Sequence, residues 1–366
     1  MLERARSKAR YGVPLVVVLG VAAAGAAPAL SGASAPPSLP AITAQQLLAD
    51  IAAAKAPALT GTLAWSANLG LSGLQSLQTE LGGDQASSAG FNPASLLAGN
   101  YTLNVWLDGT TAEHVALITG QDSEVDLVRS GNQAWLWDST NQSVLHILGP
   151  ATSGGWGSPA VSGPLPTPEQ VAANVLSALS PTTSVTVGNP VWVAGEAAYQ
   201  LVVAPKAAPD STVRQVDVAV GANGALKGVP LQVAVYAKGL VTPALQLGFT
   251  GSITLGVPPA SELSFTPPPG STVVTRRATA KGFFNGSGWQ GVTTSGSGWA
   301  TVLEGSSSTL AGPTGQAQLA PFTTEVEVGG QPARLLSTYL LNVLVLADGH
   351  FYAGFVGPST LEALGA

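Results

Sequence analysis

The sequence predicts a mainly β fold of the α+β type, and three observations predict it. Apolar and polar residues alternate through many short segments, the period of a half-buried strand. Turn pairs such as Asp108-Gly109, Gly131-Asn132 and Asn223-Gly224 separate these segments, at intervals of about 8–12 residues, the spacing of a meander sheet. The composition agrees: of 366 residues 44 are Gly and 27 Pro, and only 9% are charged, against about 25% in an average soluble protein. Such a chain has too many core-forming residues to be disordered throughout. Its length suits one large β domain, or one with a smaller second.

The amino end carries its own pattern. Arg4, Arg6, Lys8 and Arg10 precede an uncharged apolar run at residues 13–30, and small residues follow at Ala33-Ser34-Ala35. Basic head, apolar middle and small-residue exit make a secretory signal. At about 18 residues the run also comes close to the ~20 of a membrane span. Residues 1–35 are therefore expected to be a signal peptide or an N-terminal membrane anchor, and 36–41 a linker. The rest is expected to be extracytoplasmic, secreted or held at the outer side of the cytoplasmic membrane. There is no cysteine, which excludes disulfides, thiolate metal sites, cysteine nucleophiles and a cysteine-linked lipid. A net charge of −6 without a basic patch argues against nucleic acid as a partner.

The elements follow in order. Thr43 and Gln46 have capping-box spacing, and Leu47, Leu48 and Ile51 share one helical face, so a helix starts here and ends at Pro57. Alternation over 59–69 predicts a strand, and 70–98 reads as a loop. Strands are expected at 101–107, 114–119, 124–130, 134–138 and 143–148, then a Gly/Pro/Ser linker over 149–166. Thr167, Pro168 and Gln170 open a second helix with an apolar stripe at Val171, Val175, Leu176 and Leu179. Further strands are expected at 184–187, 191–193, 198–204, 214–220, 230–237 and 243–250. Residues 276–366 read as a C-terminal appendage. It has a strand at 299–303, a helix or strand at 335–343 and a hairpin turning at Asp348-Gly349.

Catalytic chemistry finds little support. His114, His146 and His350 are isolated in sequence and read as surface or strand-edge residues rather than metal ligands. Glu113 and Asp126 read as strand-end solvating charges rather than an acid–base pair. Ser287 lies in a turn and lacks the Gly-x-Ser-x-Gly spacing. No enzyme activity and no cofactor are expected.

The order of these motifs resembles the LolA/LolB/RseB-like family, in the form found in high-GC Gram-positive bacteria. The helix at Ile42–Leu48, the Leu59-Thr60-Gly61-Thr62 strand opening and Val128–Trp135 carry the first half of the likeness. Thr167-Pro168-Glu169-Gln170, Val193–Leu201, Pro230-Leu231-Gln232-Val233 and Phe265 with Pro267–Gly270 carry the second. It covers residues 42–275. The resemblance implies a curved antiparallel half-barrel of about eleven strands with helices covering the concave face, and 276–366 as a small β-rich appendage. It also implies a hydrophobic cavity holding an acyl lipid or lipoprotein. The alternative is a regulatory sensor that binds an anti-sigma factor or other membrane protein. A curved sheet must cover its concave apolar face or fill it with a ligand. The residues expected to line that cavity are Leu63, Trp65, Leu103, Val105, Leu107, Val115 and Leu117. Trp106 should point to the opposite face.

Overall fold

The structure, a computed structural model, describes residues 35–71, 96, 99–109, 111–149, 181–277, 291–307 and 322–366. Among the described residues two sheets carry the fold. The larger has thirteen strands: β1 (Leu59–Ala67), β2 (Gly99–Asp108), β3 (Ala112–Ile118), β4 (Glu124–Ser130), β5 (Gln133–Asp138), β6 (Ser143–Leu148), β7 (Thr183–Val187), β8 (Val191–Val193), β9 (Glu196–Pro205), β10 (Val213–Gly221), β11 (Pro230–Ala237), β12 (Leu245–Leu255) and β13 (Thr272–Arg277). Their order across the sheet is β13-β6-β5-β4-β3-β2-β1-β12-β11-β10-β9-β7, with β8 beside β9. The sheet is open, because β13 and β7 form its two ends.

Thirteen strands replace the eleven expected, and the pairing is not wholly antiparallel. β13 runs parallel to β6, Val274 opposite Leu145. The chain reaches that position by a crossover, residues 256–271, which a reading of local alternation does not anticipate. The larger sheet therefore ends at Arg277.

Register breaks lie between β1 and β12, with the extra residues on β12 opposite Thr60–Thr62, and at two places between β10 and β11, with one extra residue on each strand. Each inserted residue bends its strand and increases the twist, so the centre of the sheet curves. At the β1 break Gly61 lets the ring of Phe249 cross the strand: a Cβ there would lie 2.9 Å from it. The apolar side chains on the concave face form overlapping clusters, joined by shared members such as Leu63, Val115, Leu245, Val203 and Val218.

Helix α1 (Ala44–Ala53) has the capping box read from the sequence. The Gln46 backbone N–H donates to Thr43 Oγ1 at 3.1 Å, and the Thr43 N–H donates to Gln46 Oε1 at 3.0 Å. Its stripe of Leu47, Leu48 and Ile51 packs on Val185, Val187, Leu201, Val203 and Val218 of β7, β9 and β10. The loop after β10 closes against α1 at Gly228, whose φ of +79° and contact with the Asp50 carbonyl leave no room for a side chain. The predicted second helix lies outside the described residues, so among those described α1 is the helix on the concave face. None of the described helices is long and apolar enough to cross a membrane.

The second sheet has six strands: β14 (Thr293–Ser295), β15 (Val302–Ser306), β16 (Thr323–Val328), β17 (Gln331–Ser337), β18 (Asn342–Leu346) and β19 (His350–Gly354), ordered β14-β15-β19-β18-β17-β16. Helix α2 (Pro358–Gly365), which the sequence reading missed, packs Leu361 into its core. The strand expected at 299–303 is instead a helical turn, Gly298–Ala300, followed by β15. The 335–343 segment resolves into the end of β17, a turn and the start of β18. Within the first sheet, the strand expected at 243–250 runs as Leu245–Leu255.

The two sheets share one core. Leu340, Trp299 and Phe355 pack with Val203, Val218, Val233, Val235 and Leu245 of the large sheet. Trp299 Nε1 donates to Thr183 Oγ1 at 2.8 Å, and the Tyr339 N–H donates to the Leu69 carbonyl at 2.9 Å.

Candidate functional site

All seven residues expected to line a cavity fall on one face. Leu63 and Trp65 of β1 stand opposite Leu103 and Tyr101 of β2, and Leu107 pairs with Leu59. Val105 and Leu103 stand opposite Val115 and Leu117 of β3. Trp65, Leu103 and Leu117 are buried in one cluster with Leu63 and Val115 packed against it. Val105 is buried in the adjoining cluster, with Leu63, Leu107 and Val115 at its margin. The Trp65 indole N–H donates to the Leu96 carbonyl at 2.8 Å, so its one polar atom is satisfied.

The same face continues outward as an open wall. Register carries the row from Val115 to Leu127 of β4, Leu136 of β5, Leu145 of β6 and Val274 of β13. Leu136 packs against the buried cluster. On either side of it the row is only partly covered: Leu127 is 38% exposed and Val274 44%. The other half of the concave face, β9 to β12, lies under α1 and the second sheet. Among the described residues the face is therefore covered at one side and left open at the other. At the margin of the bare side Arg129 holds Glu113 with two bonds, Nε to Oε1 at 2.9 Å and Nη2 to Oε2 at 3.2 Å. Glu113 is thus an ion-paired group and not a solvating strand end.

The sequence reading missed Leu127, Leu136, Leu145 and Val274. In β5, Trp135-Leu136-Trp137 is apolar on both faces, so alternation does not say which side Leu136 takes. Val273 and Val274 follow a Pro-rich stretch that reads as the end of the series. Only the parallel pairing with β6 places them.

The convex face also differs from expectation. Trp106 does point there, stacked on His114 with ring centroids 4.6 Å apart. His114 is not a surface residue. Its Nε2 lies 3.2 Å from Asp126 Oδ1 and its Nδ1 lies 2.9 Å from the Glu262 carbonyl of the crossover. Asp126 is buried. Beside it Glu124 is pushed above the ordinary glutamate range, chiefly by burial and then by the Asp126 charge. Phe265, also in the crossover, sits over Trp135 and Trp137, and Trp135 stacks on His146 at 3.5 Å. The crossover thus roofs the convex side of β3 to β6. Between it and the neighbouring turns is a cleft of about 470 Å³ lined by Asp108, Ala112, Ser130, Val257 and Leu263. Among the described residues no three His, Asp or Glu side chains gather around a possible ion site.

No family model and no curated protein matches the chain. Solved structures similar to it include the MucA/MucB complex of Pseudomonas aeruginosa, 14% identical, covering 88% of this chain and 96% of that chain at a TM-score of 0.41. MucB in complex with MucA(peri) is 13% identical over 87% of this chain and 94% of that chain, also at 0.41. A LolA superfamily protein from Nitrosomonas europaea is 11% identical over 62% of this chain and 99% of that chain, at 0.23. These are proteins of the kind the sequence resembles.

Proposed function

We propose that the chain is an extracytoplasmic, non-catalytic binding protein that lays the apolar part of a lipid or lipoprotein along its open concave wall. The observation that carries this reading is the row Leu127, Leu136, Leu145 and Val274, partly bare and continuous with the buried cluster. A contiguous apolar patch left in water marks a binding surface. An acyl chain on the wall gains about 0.8 kcal/mol for each methylene buried. No chemical step is needed.

The test is native mass spectrometry of the chain recovered from membranes, followed by lipid extraction. An acyl lipid at near one-to-one stoichiometry is expected. The double variant Leu127→Asp with Leu145→Asp should lose it, because ionised carboxylates on the wall would be desolvated by the ligand. A parent chain that carries no lipid and takes up none when offered would sink the reading.

A second reading has its own observation. The two sheets are joined through a shared core containing Leu340, Trp299 and Phe355, so an event at the concave face is mechanically linked to the second sheet. A regulatory sensor that binds a membrane protein such as an anti-sigma factor would use that link. This reading takes over if the lipid test fails.

A further inference from the structure

One end of the central strands forms a rim. Leu59 at the start of β1 pairs with Leu255 at the end of β12 and with Leu107 of β2. The pairing of β12 with β11 stops at Gly248, so β12 stands proud of its neighbour there. The β8–β9 hairpin touches β12, Val191 and Val193 sharing an apolar cluster with Phe249 and Ile253, and places Trp192 opposite Ala197. Three large apolar side chains lie on the outside of the rim: Trp192 and Leu255 are each 49% exposed and Val257 is 71% exposed. Exposed Lys55, Lys227 and Arg277 share it with Asp50, Asp108 and Glu196. The charges are mixed, so the apolar groups decide what the rim fits.

The amino end of the chain arrives at the same place. Tyr199 donates its hydroxyl to the Pro40 carbonyl at 2.9 Å, and Trp192 Nε1 donates to the Ala35 carbonyl at 2.9 Å. Residues 35–40 therefore run past β9 and β8, and Ala35 lies at Trp192. Ahead of Ala35 stands the apolar run 13–30. The stretch from residue 30 to residue 35 reaches at most about 17 Å when fully extended. A run lodged in a bilayer would therefore hold the Trp192 rim within one short tether of the headgroups. An indole with its N–H satisfied and its ring half bare suits the membrane interface.

We propose that this rim is a membrane-docking surface, with Trp192, Leu255 and Val257 resting in the headgroup layer of the bilayer that takes the N-terminal run. Docked so, the margin of the concave wall that carries Leu107 and Arg129 faces the lipid. An acyl chain would pass from bilayer to wall without crossing open water. Only that last consequence rests on the lipid-binding reading; the rim itself does not.

The chain has no cysteine, so single labels are clean. Leu255→Cys, Val257→Cys and Val241→Cys variants of the full chain, each carrying a nitrobenzoxadiazole label, are reconstituted into vesicles of phosphatidylglycerol and phosphatidylcholine. Val241 is the control, 87% exposed and in the turn between β11 and β12 at the opposite end. The labels at 255 and 257 should be quenched by nitroxide lipids and be severalfold less accessible to aqueous iodide than the label at 241. Equal iodide access at all three positions overturns the proposal, and so does equal lipid quenching, which would mean indiscriminate adsorption. Docking at the rim by a chain that carries no lipid upholds this inference and counts against the lipid-carrying reading instead.

Discussion

Asp217 shows how much one side chain can reveal. It is buried on the convex face of β10, accepting from Gln215 Nε2 at 2.7 Å and Gln200 Nε2 at 2.8 Å. Burial nevertheless holds its carboxyl above the ordinary aspartate range; the two amides and Arg214 pull the other way and lose. An acid whose folded pKa is raised binds its proton more tightly in the native state. Its contribution is most favourable at low pH and is lost as pH rises through the folded value. Asp217→Asn removes that dependence. In urea unfolding at about pH 4 and about pH 7 the variant should gain on the parent as pH rises. A difference that stays constant, or moves the other way, would show that the amides fully compensate the burial. The residue scale is also where the sequence misled. Asp126 and His114 look like ordinary polar positions of alternating strands. They are enclosed because the crossover, more than 140 residues downstream of His114, lies on that ring, which in turn meets Asp126, and no local pattern announces that.

At the scale of elements, α1 separates two sources of helix stability. Its capping box is exposed and local, and Thr43→Ala should cost about 1 kcal/mol. Leu47 is almost wholly buried against Leu201 and Val220, and Leu47→Ala should cost about 2–5 kcal/mol through lost burial and the cavity left. Denaturant unfolding of the two variants checks the order. If the cap mattered more, packing on the sheet would not be what holds the helix. Both residues were legible in the sequence, because capping spacing and a helical stripe are local signals. The strands of the meander were legible for the same reason, and so was the shared face of the seven residues expected to line a cavity, of which Trp65, Leu103, Val105 and Leu117 are buried. The open wall was not. Leu127, Leu136, Leu145 and Val274 come together only through pairing register, and one of those pairings is parallel and follows a crossover.

For the whole molecule, the shared core predicts how it comes apart. Removing the second sheet would bare Val213, Val216, Ala237 and Ala244 around the vacated place of Leu340. Unfolding should therefore be one cooperative transition, with far-ultraviolet circular dichroism and tryptophan emission reporting the same midpoint. Two separable midpoints would show that the sheets are energetically independent.

The pairing of β1 with β12 has a further consequence, for the order in which the chain can be finished. β1 is central, yet the partner on one of its sides lies almost two hundred residues later in the sequence. As the chain emerges, amino end first, β1 to β6 can form a meander by local closure. That half-sheet then waits with one edge of β1 unpaired, and its apolar face lacks the β9–β12 side until residue 255 has appeared. Long-range pairing of this kind is slow, and bare strand edges in the meantime invite association with other chains. The chain should therefore need chaperoning from the emergence of β6 until the second sheet has closed the shared core.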